Sequence, residues 1–243
     1  MKNKKAVFFD LDGTLVPTDL DRMFGEYWKI LHESELIRLI AADPEEAIGI
    51  FNSAAEEMMS TAGGRPNRDV FFEHIETHTG RDKEYFAAAF EEFYGTVFGS
   101  LGWMIEQNGL QRKILDAVKQ KGYRTALATM PVFPVGAAVS RLAWVGLAPG
   151  DFEHITHWEN ANYMKPHPGY YQEILSSMEL EGKDCIMVGN NVREDMCAKE
   201  LGFDVFLVTG YEIGAFDRED FPNGGLPELL AWVEDLPGAE GGI

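Results

Sequence analysis

Apolar residues fall along this chain in two rhythms. Ala6-Val7-Phe8-Phe9 is a short unbroken apolar run, which predicts a buried strand near the amino terminus. From about Leu20 to Ser100 the step changes to three and four residues, the period of a helix face. Phe24, Tyr27, Trp28, Leu31, Ile37 and Ile40 form the first such face. Asp43-Pro44-Glu45-Glu46 predicts a helix start, with Asp43 as N-cap, Pro44 at the first position and Glu46 at the capping-box position. Ala47, Ile50, Phe51, Ala54 and Met58 carry that helix until Gly63-Gly64 stop it. Asn67 is expected to cap a third helix carrying Phe71, Phe72 and Ile75 and ending near Gly80. A fourth carries Tyr85, Phe86, Ala89, Phe90, Phe93 and Val97. No strand signal interrupts these segments, so they predict a small helical bundle.

The rest of the chain alternates. Strands are predicted at Thr125–Thr129, His154–Trp158, Cys185–Gly189 and Val205–Val208. Helices are predicted over Leu110 to Gly122, Pro134–Leu147, Pro168–Met178, Val192–Leu201 and Leu226–Val233. Alternating strands and helices imply an α/β fold with a doubly wound, Rossmann-like parallel sheet. The helical bundle is inserted after the first strand. The expected division is a core of residues 1–16 and 106–243 and an all-helical domain of residues 17–105. The tail from Leu236 to Ile243 is expected to fray. In open parallel sheets ligands bind beyond the carboxyl ends of the strands. Asp10, Thr129 and Asn190 all fall at or just past such ends.

Charge narrows the partners. The formal net charge of −19 argues against nucleic acid, which needs stripes of Lys and Arg, and against anionic membrane surfaces. A phosphorylated ligand must therefore be held by a local cationic site. The start, Met1-Lys2-Asn3-Lys4-Lys5, leads only to a strand-length apolar stretch, too short for a signal peptide, and no run is long enough to span a bilayer. Cys185 and Cys197 read as reduced, half-buried thiols of a cytoplasmic protein. A monomer or a small homo-oligomer is expected.

The candidate chemistry begins where the first strand ends, at Asp10-Leu11-Asp12-Gly13-Thr14. Residues two apart in a strand point to one side, so both carboxylates leave the strand end together. Two adjacent anions call for a cation or a shared proton. One carboxylate that attacks, one that moves a proton and a hard cation between them would suit phosphoryl transfer. The same residues also suit an ordinary strand-ending turn.

Asp10-Leu11-Asp12-Gly13-Thr14 resembles the first motif, Asp-x-Asp-Gly-Thr, of the haloacid dehalogenase superfamily. Three further motifs follow in order: Thr129 after an apolar strand, Lys165 in Lys165-Pro166-His167-Pro168, and Gly189-Asn190-Asn191-Val192-Arg193-Glu194-Asp195. The resemblance implies that Asp10 is the nucleophile and forms a phospho-aspartyl intermediate. Asp12 is then the acid–base group, which phosphatases and phosphomutases have and dehalogenases lack. Thr129 and the backbone N–H of Met130 would bind the phosphoryl oxygens, with Met130 where relatives often have Asn. Lys165 would neutralise the nucleophile and the phosphoryl group. Mg²⁺ would be held by Asp10, Asp12, Asn190 and Asp195. The inserted bundle matches the position of a helical cap, which closes over the cleft and confers specificity.

The fourth motif departs from the family form. Asn190 stands where an aspartate is usual, and Glu194 and Asp195 are the closing acids. Three functions remain open on the sequence: a Mg²⁺-dependent phosphomonoester hydrolase acting on a small phosphorylated metabolite, a phosphosugar mutase, and a weakened homologue that binds a phosphorylated ligand. Arg65 and Arg68, in the break Thr61–Arg68, either reach an anionic substrate or lie in an exposed inter-helix loop, and Arg22 is a further candidate. The aromatic residues of the bundle are expected to form its core rather than contact substrate.

Overall fold

The computed structural model describes residues 4–239, so Met1, Lys2 and Asn3 and the end of the tail, residues 240–243, lie outside it. The first strand, β1 (Ala6–Phe9), is fully buried. Five α-helices of the insert follow it: α1 (Leu20–His32), α2 (Glu35–Ile40), α3 (Pro44–Ser60), α4 (Asn67–Thr79) and α5 (Lys83–Glu92). The sequence pattern predicted one helix where α1 and α2 stand. Ser34 divides it, because its hydroxyl accepts from the Ile37 N–H and starts a new helix. The Asp43 cap forms as expected, its Oδ1 accepting from the backbone N–H groups of Glu45 and Glu46.

Asn67 does not cap α4. Pro66 takes the cap position, and the buried Asn67 amide donates instead to the Pro131 carbonyl at 3.4 Å. The Asn67 and Arg68 N–H groups donate to the carbonyls of Ala161 and Trp158, each at 3.0 Å. The start of α4 is therefore tied to core loops by groups that capping would otherwise have used. After α5 the chain runs through a π-helical turn, Phe93–Val97, and a 3₁₀ segment, Phe98–Met104. Phe93 and Tyr94 are both buried there.

The core then alternates α6 (Leu110–Gln120), β2 (Arg124–Leu127), α7 (Val135–Trp144), β3 (His154–Ile155), α8 (Pro168–Ser177), β4 (Cys185–Gly189), β5 (Asp204–Val208), β6 (Asn223–Gly224) and α9 (Leu226–Asp235). The six strands form one parallel sheet in the order β3-β2-β1-β4-β5-β6. Strand order reverses direction at β1, which sits between β2 and β4. This is the switch point where doubly wound sheets open a crevice. The third strand is shorter than predicted, and β6 is two residues long in a Gly-Pro-rich stretch with no apolar run to announce it.

The predicted helix over Val192–Leu201 forms only in its second half, as a 3₁₀ helix from Met196 to Leu201. Asn191 Oδ1 accepts from the N–H groups of Arg193 and Glu194, and the Asp195 and Met196 N–H groups both return to the Asn191 carbonyl, at 2.8 and 3.3 Å, in a run of turns over residues 192–195. The apolar core on one face of the sheet runs without a break from Val7 and Phe9 into Tyr27, Phe71 and Tyr94 of the insert. Both cysteines are free; burial pushes the Cys185 thiol up to about 12, so it should alkylate only on unfolding.

One polar cluster pins the edge of the sheet. Asp151, before β3, accepts a two-pronged pair from Arg112 at 2.9 Å per bond and a third bond from Lys119 at 2.8 Å. Burial works to raise the Asp151 carboxyl, but these donors outweigh it and hold the group well below the usual carboxylate range. Its stabilising contribution is therefore fully present above pH ~4, the unfolded value, and is lost as pH falls through the folded one. Asp151→Asn is expected to cost about 2 kcal/mol at pH 7, with the difference from the unaltered protein shrinking below pH ~4. Chemical denaturation at both pH values measures this.

Candidate active site

The crevice is built from strand ends. The Asp10 N–H donates to the Val188 carbonyl of β4 at 2.9 Å, which sets the residue across the β1–β4 boundary. Gly13 adopts φ +80°, and a Cβ there would meet Asn190 Nδ2 at 2.1 Å. Only glycine lets the turn after Asp12 bring the Asn190 side chain so close. At Gly189 an added Cβ would lie 2.3 Å from the Asp195 carboxylate, so that bend too requires the missing side chain.

These turns gather a buried ionic group. Lys165 Nζ donates to Asp10 Oδ1 at 2.9 Å and to Asp195 Oδ1 at 2.6 Å. The Lys165 side chain is 1% exposed. Burial alone would lower its pKa, but the carboxylates of Asp10 and Asp195 raise it well above the ordinary lysine value, and it stays cationic. Burial pushes the Asp195 carboxyl up to about 7; Lys165 opposes that shift and the Asp10 charge adds to it. Asp195 Oδ2 accepts the Asn191 N–H at 2.9 Å. Thr14 Oγ1 lies 3.0 Å from Asp10 Oδ2, to which it donates, and 3.2 Å from Asn190 Oδ1. Asn190 Nδ2 donates to the Tyr211 carbonyl at 2.6 Å.

Asp12 meets a partner that the sequence did not flag. Arg141, on α7 and 2% exposed, donates from Nη1 to Asp12 Oδ2 and from Nε to the Ala137 carbonyl. Its guanidinium also lies over the Phe133 ring at 5.4 Å. The available signal was a lone arginine in the helix Val135–Trp144, which has no other charged residue. Burial raises the Asp12 carboxyl from its ordinary value, against the pull of Arg141 and with the help of Asp10. Asp12 Oδ1 is buried without a partner, and so is the Thr129 hydroxyl. A raised carboxyl with one free oxygen is suited to moving a proton.

Asp10, Asp12, Thr129, Met130, Asn190 and Asp195 line a single cavity of about 480 Å³. Lys165 stands behind the carboxylates instead of on the cavity wall. Arg65 and Arg68 do not reach it: Arg65 pairs with Glu73, and Arg68 lies over Phe72 at 5.4 Å. Arg22 lies over Trp103 at 5.6 Å. Conversely, Tyr27, Phe51, Phe71 and Tyr94 are core and cavity wall at once, where the sequence suggested core alone.

Fold and cavity together define an α/β enzyme of the doubly wound class, with its site at the topological switch point. The model of the haloacid dehalogenase-like hydrolase family matches residues 4–202, and the chain belongs to that family. A glyceraldehyde 3-phosphate phosphatase of Pyrococcus furiosus is 23% identical over 250 residues, covering 99% of this chain and 97% of the relative. The crystal structure of a HAD phosphatase from Thermococcus onnurineus superposes with TM-score 0.60 at 18% identity, over 97% of this chain and 99% of that one. A predicted phosphoglycolate phosphatase from Haemophilus somnus gives TM-score 0.56 at 20% identity, over 96% and 99%. The protein is thus a hydrolase of this family, and no helix among the described residues is long and apolar enough to cross a membrane.

Proposed function

We propose that the protein is a Mg²⁺-dependent phosphomonoester hydrolase that acts on a small phosphorylated metabolite through a phospho-aspartyl intermediate on Asp10. The observation that carries this reading is the division of labour between the two aspartates. Asp10 is held beside a buried cation and a hydroxyl donor, while Asp12 has a raised carboxyl and one unpartnered oxygen in the same cavity. The phosphatase names of the similar proteins support the same chemistry.

In the first half-reaction an Asp10 carboxylate oxygen attacks phosphorus. The bond from phosphorus to the ester oxygen breaks, and Asp12 gives its proton to the departing alkoxide. In the second, Asp12 takes a proton from water as that water attacks the phosphoryl group, and the bond to Asp10 breaks to release phosphate. Thr129 and Met130 line the cavity, and the Thr129 hydroxyl and the Met130 N–H would donate to phosphoryl oxygens. Lys165 acts from behind, offsetting the charge on Asp10 through its 2.9 Å contact.

Among the described residues no three of His, Cys, Asp and Glu cluster closely enough to hold a metal alone. Mg²⁺ does not ask for that: it keeps several waters and commonly takes one or two protein carboxylates with substrate phosphate. The all-oxygen set of Asp10 Oδ2 and Asn190 Oδ1, both within reach of the Thr14 hydroxyl, fits such a site, and the unpartnered Asp12 Oδ1 adjoins it in the cavity. Asp195 lines the same cavity, with Oδ1 accepting from Lys165 and Oδ2 from the Asn191 N–H, and would complete the set directly or through a water. When bound, the ion would offset charge on the transferring phosphoryl group.

Phosphate release from p-nitrophenyl phosphate tests the proposal. Activity is expected with Mg²⁺, with a loss on the order of 100-fold or more in EDTA, since such ions supply several kcal/mol of charge stabilisation. Activity unchanged by EDTA would remove the metal from the account. Isomerised sugar phosphate appearing without free phosphate would instead make the protein a mutase.

A further inference from the structure

The cavity has two unlike ends, and their difference bears on the substrate. All its charged wall residues (Asp10, Asp12, Arg141, Glu194 and Asp195) come from the α/β core. The wall contributed by α1, α3 and α4 holds Phe24, Trp28, Phe51, Met58 and Phe71 among its residues, and no charged side chain. The one cationic residue on the wall, Arg141, is already paired with Asp12. Arg65 and Arg68, the arginines named as candidates for an anionic substrate, are engaged elsewhere.

From this we infer that the leaving group is an uncharged, largely apolar alcohol, with an aromatic ring or a comparable hydrocarbon body seated against Trp28, Phe51 and Phe71. The inference rests on the phosphatase reading above and narrows it to a substrate class. A second phosphate or a carboxylate on the leaving group would have to be buried among aromatic rings with no counter-charge, and with Glu194 nearby. An apolar body gains from the same wall, because burying hydrocarbon against it removes water from both surfaces. The volume of about 480 Å³ lies in the range of small-ligand pockets, so a phosphoryl group and a ring-sized body fit together.

One polar feature interrupts the apolar wall. The hydroxyls of Tyr27 and Tyr94 meet at 2.7 Å, and both residues line the cavity. One hydroxyl donates to the other, which leaves one O–H hydrogen unused by the pair. Burial raises the pKa of both phenols above the ordinary tyrosine value, so neither is an anion at working pH. The wall therefore offers one neutral donor, suited to a single ether, hydroxyl or carbonyl oxygen on an otherwise apolar body.

Esters of primary alcohols with similar intrinsic reactivity separate this class from polar and anionic ones. The test compares kcat/KM for 3-phenylpropyl phosphate, glycerol 3-phosphate and 2-phosphoglycolate, with Mg²⁺ present. The phenylpropyl ester is expected to exceed glycerol 3-phosphate by about 100-fold, an advantage consistent with burying a ring and its linker, and 2-phosphoglycolate by more. Equal rates, or a preference for either polar ester, would overturn the apolar class and leave the phosphatase reading standing. Binding of 3-phenylpropylphosphonate, followed by the fluorescence of Trp28 and Trp158 in the cavity wall, gives a readout independent of turnover. It is expected to bind at least tenfold more tightly than 3,4-dihydroxybutylphosphonate. That order of binding with all three esters inert would keep the ligand class and refute the phosphatase. The reverse order would refute the ligand class whatever the esters do.

Discussion

Asp10→Asn should abolish turnover and leave the protein folded. The amide matches the carboxylate in shape: its oxygen can still accept from Lys165 where Oδ1 does now, at 2.9 Å, and its NH₂ replaces Oδ2 beside the Thr14 hydroxyl, which can turn to accept. It is, however, a very poor nucleophile toward phosphorus. Losses on the order of 10⁴-fold or more in kcat are typical when a covalent nucleophile is removed. Lys165 keeps its 2.6 Å partner Asp195, so the buried cation is not stranded. The melting temperature should therefore move by only a few degrees. Phosphate release and a thermal melt on the same preparation check both halves.

Lys165→Met should cost both activity and stability. The lysine is the buried counter-charge of Asp10 and Asp195, and methionine leaves the two carboxylates facing one another without it. Breaking a buried pair by removing one partner typically costs 3–5 kcal/mol, and a loss of about that size is expected at pH 8. At lower pH one carboxyl can take up a proton, and Asp195 is already pushed up to about 7 by burial. For a carboxyl whose folded pKa lies above its unfolded one, stability falls as pH rises between the two values. The defect should therefore shrink from pH 8 to pH 5 when measured by urea denaturation in EDTA. Adding Asp195→Asn should recover part of the stability, since it removes one of the two stranded charges, while activity stays low. A defect that grows on acidification would contradict this assignment of charges.

Much of this arrangement was legible in the sequence because strand ends are. Asp10, Thr129 and Asn190 follow apolar runs long enough to be read as buried strands, and a parallel sheet sends such ends to one edge. The helical insert was legible for a similar reason, since its periodicity persists over many turns. What escaped were contacts set by side-chain competition and by distance along the chain. Ser34 split a helix through a local hydrogen bond that periodicity does not register, and the first half of another, residues 192–195, is a run of turns. Asn67 looked like a cap and became a buried tie to the Pro131 carbonyl, 64 positions away. Arg141 lies 129 positions from Asp12, and nothing in its helix names that partner. The apolar character of the cavity was hidden because the aromatic rings that build the insert also wall the site.

The assignment of Asp10 as the residue that carries the phosphoryl group is tested most directly by trapping it. The protein is mixed with excess p-nitrophenyl phosphate and Mg²⁺, quenched in acid within the first turnovers, and digested for mass spectrometry. The peptide containing Asp10 is expected to carry one added phosphoryl group, and the same peptide from Asp10→Asn none. Steady phosphate release with the phosphoryl group on another residue, or on no residue at any quench time together with undiminished turnover by Asp10→Asn, would contradict the account.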